Sequence, residues 1–151
     1  MSGMNWIFGL IVLLIILFVA LYNKLAKQKV MVEEASSDIE TFLKQRYDMI
    51  PNLIEIVKGY AKHEKDIFTD VTNLRAKAMS TDSLEEKLKY DAQLKNGISK
   101  LFAVAENYPE LKANQNFIQL HQSLENLENE IQKARRYYNG TARDFNEMIV
   151  V

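Results

Sequence analysis

An apolar run, WIFGLIVLLIILFVALY, begins at Trp6 and ends at Tyr22, and no charged side chain precedes Lys24. A helix rises about 1.5 Å per residue, so the run spans roughly 25 Å. The few polar or small residues before it bring a helix over residues 3–22 close to the ~30 Å thickness of a bilayer core. Aromatic rings at both ends suit the headgroup region. The run therefore predicts a helix that contacts lipid through residues 3–22.

Two other interpretations of the run stay open. A cleaved signal peptide would have a basic start, a shorter apolar stretch and a small-residue cleavage site, and the sequence has none of these. A buried helix of a soluble core rarely carries aliphatic side chains on all sides over such a length. We therefore favour an uncleaved membrane anchor over residues 1–23.

The charges that flank the anchor indicate its orientation. Lys24, Lys27 and Lys29 follow it, whereas only the α-amino group of Met1 precedes it. By the positive-inside rule, the N-terminus lies outside a single-pass cell membrane protein and the remaining chain lies in the cytoplasm. The lack of N-terminal basic residues disfavours the reverse topology, an envelope-spanning protein with its helical domain outside the cytoplasm.

Residues 24–151 have the size of one domain. They carry all the charged side chains, yet the net charge of the chain is only -1, so no strong positive field is available for nucleic acid. The chain has no cysteine, which excludes disulfides, thiol chemistry and cysteine metal sites. We expect no nucleic-acid partner, and cysteine usage does not decide the compartment.

Glycine and proline are scarce after the anchor, which predicts an all-α domain. Pro51, Pro109 and a capping box formed by Ser83 and Glu86 provide three breaks. The four predicted helices are Asn23 to Met49, Asn52 to Ala78, Ser83 to Asn107 and Lys112 to Val150. The apolar pattern of the first helix runs nearly in phase into the second, so one long helix kinked at Pro51 is the alternative.

Each predicted helix has an apolar face. In the last helix, apolar residues recur at alternating steps of three and four, as in a heptad seam. The seam residues are Phe117, Leu120, Leu124, Leu127, Ile131, Ala134, Tyr138, Thr141, Phe145 and Met148. The four faces predict one N-terminal transmembrane helix followed by an antiparallel up-and-down four-helix bundle.

This topology predicts that the segments RYDMIPN and NYPELKAN lie together at the bundle end far from the membrane, which we call the distal tip. Aromatic and arginine side chains on short, rigid connections are good anchors for a protein partner. The predicted docking residues are Arg46, Tyr47, Asp48, Asn52, Tyr108, Glu110 and Lys112. The alternative is that both segments only turn the chain, with the prolines fixing φ.

The last predicted helix is longer than its neighbours and would bring its apolar end, including Ile149 and Val150, back toward the membrane. Arg135, Arg136 and Arg143 near that end have the chemistry to bind an anionic headgroup or a nucleotide phosphate. The alternative is that these arginines lie on a solvent-exposed helix face and pair with carboxylates at helical spacing, without binding a ligand.

The sequence lacks recognisable catalytic patterns. His63 and Glu64 have no second histidine four residues on, as a zinc protease motif requires. The carboxylates of the last helix lack the Glu-x-x-His sets of di-iron bundles, and no glycine-rich phosphate loop occurs. We therefore predict a protein that is not an enzyme and holds no cofactor or metal.

Four segments carry a resemblance to a known family. They are YNKL after the anchor, EASSDIETFLKQRYDMIPNLIEIVKGYAKHEK, LFAVAENYPELKANQNF and ENEIQKARRYYNGTARDFN. In these segments the sequence resembles the LemA family of bacterial membrane proteins, and the resemblance extends over nearly the whole chain. The resemblance implies an N-terminal membrane helix, a cytoplasmic four-helix up-and-down bundle and no established enzymatic activity or cofactor.

The expected function is a membrane-anchored scaffold or adaptor that recruits an unidentified protein partner at the distal tip. The alternative is a structural protein that assembles with its own copies, through the seam of the last helix or through the membrane helix.

Overall fold

The computed structural model describes the backbone of residues 2–150 and the side chains of residues 5–150. Its five described helices are α1 (Ser2–Tyr60), α2 (Lys65–Ser80), α3 (Leu84–Ala105), α4 (Pro109–Lys112) and α5 (Gln115–Val150). No strand occurs between residues 2 and 150. The prediction of an all-α chain that begins with a long apolar helix is confirmed.

The predicted break at Pro51 is wrong, because α1 passes through this residue and ends only at Tyr60. A proline lacks the N–H that would bond the carbonyl four residues earlier, here that of Tyr47. Arg75 of α2 satisfies this carbonyl instead, since its Nε donates to Tyr47 O over 2.7 Å. The first break lies at residues 61–64.

The other two predicted breaks are confirmed. The hydroxyl of Ser83 accepts a hydrogen bond from Glu86 N at 3.4 Å and caps α3. The reciprocal half of the capping box is absent, because the Glu86 carboxylate accepts a bond from Thr81 Oγ1. Pro109 opens the short helix α4. The helix α5 begins after the predicted Lys112, because Asn114 Oδ1 accepts a bond from Phe117 N at 3.1 Å.

The chain separates into two compact units. The first comprises Met1–Ser37 and Arg135–Val151, and the second is Asp38–Ala134. Both α1 and α5 contribute a segment to each unit. The domain boundary expected after residue 23 stays a prediction.

Four helical segments of the unit Asp38–Ala134 alternate in direction. Side-chain contacts fix the order of α1, α2, α3 and α5. The pairs are Tyr47 with Arg75, Lys58 with Phe68, Glu40 with Lys87, Arg46 with Asp91, Arg46 with Glu128, and Tyr60 with Asn114. As residue numbers rise along α1, the numbers of the contacting residues rise along α3 and fall along α2 and α5. The four segments therefore form the predicted up-and-down arrangement.

The core of this unit is apolar and draws on every one of its helices. Its largest fully buried side chains are Ile39, Leu43, Ile50, Leu53, Leu94, Leu101, Leu111, Val57 and Val71. The predicted seam of α5 is also buried from Phe117 through Ile131. The seam therefore faces the interior of its own unit.

The unit formed by Met1–Ser37 and Arg135–Val151 exposes its apolar run. Over the described residues, α1 alone is long and apolar enough to cross a membrane by length and composition, and its most apolar window is wholly unburied. In the same unit, Gln28 Nε2 donates to Thr141 O at 3.3 Å, which places α1 and α5 side by side.

Candidate functional site

The seven predicted docking residues do not share one end of the helical unit. Arg46 and Tyr47 are only 2% and 3% exposed and belong to the core. Asp48 and Asn52 are exposed, but they lie in the interior of a continuous helix. The predicted distal tip is therefore wrong for these four residues, because α1 continues to Tyr60 and the chain does not turn at Pro51.

The remaining three predicted residues do lie at a chain reversal. Tyr108, Glu110 and Lys112 belong to the connection between α3 and α5. The first is half-buried and the other two are exposed. The docking role of all seven residues stays a prediction, since their position alone does not reveal a partner.

Two connections meet at one end of the unit Asp38–Ala134. Asn114 Nδ2 donates to the Tyr60 hydroxyl at 3.1 Å, which joins the connection after α1 to the connection after α3. Ala61 and Leu111 are fully buried and hold both connections against the core. We call residues 60–65 and 106–114 the connection end.

An open cleft between α1 and α2 adjoins the connection end. Its lining includes Lys58, Lys62, Lys65, Phe68 and Thr69. The Lys58 ammonium lies 5.4 Å from the centroid of the Phe68 ring, a cation–π distance. Between residues 5 and 150, no ion pair involves any of these three lysines. We call this feature the basic cleft.

Arg46 is the centre of a buried ionic cluster, which we call the Arg46 cluster. Its Nη1 donates to Asp91 Oδ2 at 2.7 Å, and its Nη2 donates to Glu128 Oε2. The other oxygen of Glu128 accepts from Lys95 Nζ at 2.6 Å and from Gln132 Nε2 at 2.7 Å. The cluster thus links α1 to α3 and α5.

The electrostatics of the cluster are set by Glu128. Burial by itself raises the pKa of this carboxyl, but hydrogen bonds from Lys95, Gln132 and Arg46 outweigh burial and lower the pKa to about 2. Glu128 is therefore ionised at neutral pH, and two carboxylates face two cations. Since a buried charge without a partner is costly, this pairing makes the cluster a structural joint.

The Arg46 cluster was not predicted, although the sequence holds a signal for it. Arg46 falls on the same alternating steps as Ile39, Leu43 and Ile50, so the pattern places a cation on the core face of α1. Asp91 likewise takes a core position three residues before Leu94. Opposite charges on two apolar faces predict that the helices pair through them.

The histidine and carboxylate side chains described in this unit form few contacts of the kind that metal sites use. His121 stacks on Phe102 with ring centroids 4.0 Å apart, and its Nε2 lies 3.6 Å from Glu125. Among residues 5–150, no group of three or more His, Asp or Glu side chains is arranged to hold a metal ion. The arrangement around His121 is one of aromatic packing.

The comparison with known proteins decides the family. The sequence profile of the LemA family matches residues 35–151. The chain belongs to the LemA family. Protein LemA of Metamycoplasma hominis is 26% identical over 133 residues, which make up 87% of this chain and 61% of that relative. This LemA-family chain thus spans less than two thirds of the relative's length, and both the connection end and the Arg46 cluster lie within the family match.

Proposed function

We propose that this LemA-family protein is a membrane-anchored, non-catalytic adaptor that binds a protein partner at the connection end and the adjoining basic cleft. The observation that carries the proposal is that α1 contains both an unburied apolar run and a segment of a packed helical unit. One helix thus combines an anchor with a binding module.

The membrane part of the proposal rests on exposed apolar surface. The side chains from Trp6 to Tyr22 are exposed throughout. Burying apolar surface gains about 25 cal/mol per Å², so a bilayer is a favourable surrounding for this run. Lys24, Lys27 and Lys29 favour a topology in which the N-terminus is outside and the helical unit is cytoplasmic.

The partner-binding part rests on a packed chain reversal beside three lysines that form no ion pair within residues 5–150. The connection end presents Tyr108 on a scaffold held by the buried Leu111. The basic cleft adds Lys58 and Lys62, with the apolar Phe68 beneath them. Such a surface suits an acidic segment of a partner, because opposite charge speeds association and a nearby apolar floor adds contact area.

The described charges support a binding role over a catalytic one. Arg46 and Asp91 are the buried charged side chains of the described chain, and they bond to each other. Active sites hold perturbed groups open to a substrate, whereas the Arg46 and Asp91 charges are enclosed and bond to each other. Self-assembly through the α5 seam has no comparable support, because Leu124 and its neighbours in the seam already pack inside the unit.

Photo-crosslinking in cells that express the full chain tests the proposal. A photoreactive side chain is placed at Tyr108, at Lys62 or, as a control, at Lys133, which lies exposed on α5 of the same unit. We expect one shared cytoplasmic product from the first two positions and none from the control. Products containing only this chain, or equal capture from Lys133, would overturn the adaptor role.

Charge reversal makes the test specific to the basic cleft. Replacing Lys62→Glu and Lys65→Glu together should abolish the product from Tyr108 with little change in thermal melting, since both lysines are exposed and neither forms an ion pair within the described residues. The matched control reverses Lys44 and Lys89, exposed lysines elsewhere on the unit, and should retain the product.

A further inference from the structure

Within the unit formed by Met1–Ser37 and Arg135–Val151, the end of α5 lies beside the end of the apolar run. The hydrogen bond from Gln28 Nε2 to Thr141 O sets the two helices in register. Burial falls along α1 from Ala35 through Gln28 to Tyr22, that is, toward its N-terminus. The packing contact between these two helices therefore decreases toward the anchor.

Burial along α5 falls in the opposite chain direction. Thr141 is buried, Phe145 is half-buried, and Ile149 and Val150 are exposed by 56% and 86%. Loss of burial toward the N-terminus of α1 and toward the C-terminal end of α5 is what antiparallel neighbours produce. The same two helices are antiparallel where they pack in the other unit.

This register shows which residues of α1 and α5 lie at the same height along the two helix axes. Both helices rise about 1.5 Å per residue, so each step along α5 corresponds to one step back along α1. Counting from the pair Gln28 and Thr141 sets Met148 level with Leu21 and Val150 level with Val19. The last described turn of α5 thus lies level with the final residues of the apolar run.

This turn is suited to a membrane interface. Phe145, Met148 and Ile149 fall on one helical face, at i, i+3 and i+4. Arg143 and Glu147 lie on the other face. An amphipathic turn at this level places its apolar face among acyl chains near the headgroups and its charges in the polar layer.

We propose that residues 145–150 form a second membrane contact, embedded in the interface of the leaflet where the apolar run of α1 ends. The occupant of this exposed apolar face is lipid, because the face adjoins the lipid-contacting surface of α1. Lys24, Lys27 and Arg143 then lie in the headgroup layer, where cations favour anionic lipids. This inference rests on the membrane-anchor part of the proposed function but not on its protein partner.

Site-directed spin labelling tests the contact directly, since the natural chain has no cysteine. The full chain is reconstituted in vesicles of phosphatidylethanolamine and phosphatidylglycerol with one label at Ile149→Cys. Leu14→Cys, inside the apolar run, is the membrane reference. Asn139→Cys, exposed on α5 and level with Val30, is the water reference. Collision rates with oxygen, which concentrates in lipid, and with a water-soluble nickel chelate report depth.

We expect the oxygen-to-nickel ratio at Ile149 to exceed that at Asn139 severalfold and to approach the ratio at Leu14. An Ile149 ratio equal to that of Asn139, with Leu14 protected, would overturn the second contact while the anchor stands. A nickel-accessible Leu14 would overturn the anchor, and the second contact with it.

Discussion

At the scale of single residues, the continuity of α1 depends on a side chain far away in the sequence. Pro51 removes one backbone donor from the helix, and Arg75 supplies another donor to the same acceptor, Tyr47 O, at 2.7 Å. A proline inside a helix is costly partly because this carbonyl is left without a partner. The replacement donor explains why a residue that usually interrupts a helix lies inside one here.

This compensation predicts coupling between the two residues. Arg75→Met should destabilise the unit by about 1–3 kcal/mol, because it leaves the carbonyl of the buried Tyr47 without its donor. In a Pro51→Ala background, the restored N–H serves the same carbonyl, so the substitution at Arg75 should cost clearly less. A double-mutant cycle by denaturant unfolding of the full chain in detergent measures the difference. Equal costs in the two backgrounds would contradict the replacement.

The Arg46 cluster predicts acid sensitivity through Glu128. Its folded pKa of about 2 lies below the ordinary 4.5, so the ionised carboxylate stabilises the fold fully above about pH 4.5. This contribution is lost as the pH falls from about 4.5 to about 2. Glu128→Gln should therefore lower the melting temperature near neutral pH and flatten its acid dependence.

The control for this prediction is Glu130→Gln. Glu130 forms a solvent-exposed pair with Lys133 at 2.7 Å, and such pairs contribute about 0–1 kcal/mol. Melting curves of both variants, recorded from neutral to acidic pH, should separate them. If Glu128→Gln keeps the acid dependence of the natural chain, another group controls it.

At the scale of elements, a glycine sets the closest approach of α2 and α3. A Cβ atom at Gly97 would lie 2.7 Å from Val71 Cγ2, and Val71 is fully buried. Real carbon atoms do not approach so closely, and a buried, β-branched side chain has few alternative rotamers. The two helices can therefore pack at this distance only with glycine at this position.

This contact predicts opposite outcomes for two glycine substitutions. Gly97→Ala should destabilise the protein by about 1–3 kcal/mol, because overpacking outweighs the gain in helix propensity. Gly140→Ala, also inside a helix but with no heavy atom within 4 Å of the added Cβ, should stabilise by about 0.5–1 kcal/mol. Denaturant midpoints compare the two, and adding Val71→Ala should recover part of the Gly97→Ala loss. Stabilisation by Gly97→Ala alone would refute the tight contact.

Element boundaries were predictable where the deciding chemistry is local. Ser83 caps α3 through its own hydroxyl, and Pro109 opens α4 because its missing N–H lies at a helix start. The end of α1 was not predictable, because its continuity through Pro51 depends on Arg75, which comes from another helix. Local rules do not include such tertiary partners.

The candidate site shows the same difference between residues placed by local signals and residues placed by tertiary contacts. Tyr108 lies at a chain reversal as predicted, since the proline after it marks that connection. Arg46, by contrast, belongs to the core and not to the predicted docking surface. Its position in the apolar pattern of α1 indicated burial, but the charges that make burial tolerable come from α3 and α5.

At the scale of the whole molecule, topology decides which partners the helical unit can meet. α1 alone among the described helices is apolar and long enough to cross a membrane, by length and composition. With the proposed anchor in place, the chain that follows the apolar run would lie on one side of the bilayer. The basic residues Lys24, Lys27 and Lys29 predict the cytoplasmic side. An adaptor of the proposed kind then recruits cytoplasmic proteins to the membrane.

Cysteine accessibility in intact cells tests this topology, because the natural chain contributes no background thiol. An impermeant maleimide should label Asn5→Cys from outside and should label Lys62→Cys only after lysis, since these residues lie on opposite sides of the apolar run. Labelling of Lys62→Cys in intact cells would place the helical unit outside and favour the envelope-spanning alternative. Absence of Asn5→Cys from the mature protein would instead identify the run as a cleaved signal. The helical unit would then lack a membrane anchor, and a partner bound at its connection end would not be recruited to the membrane.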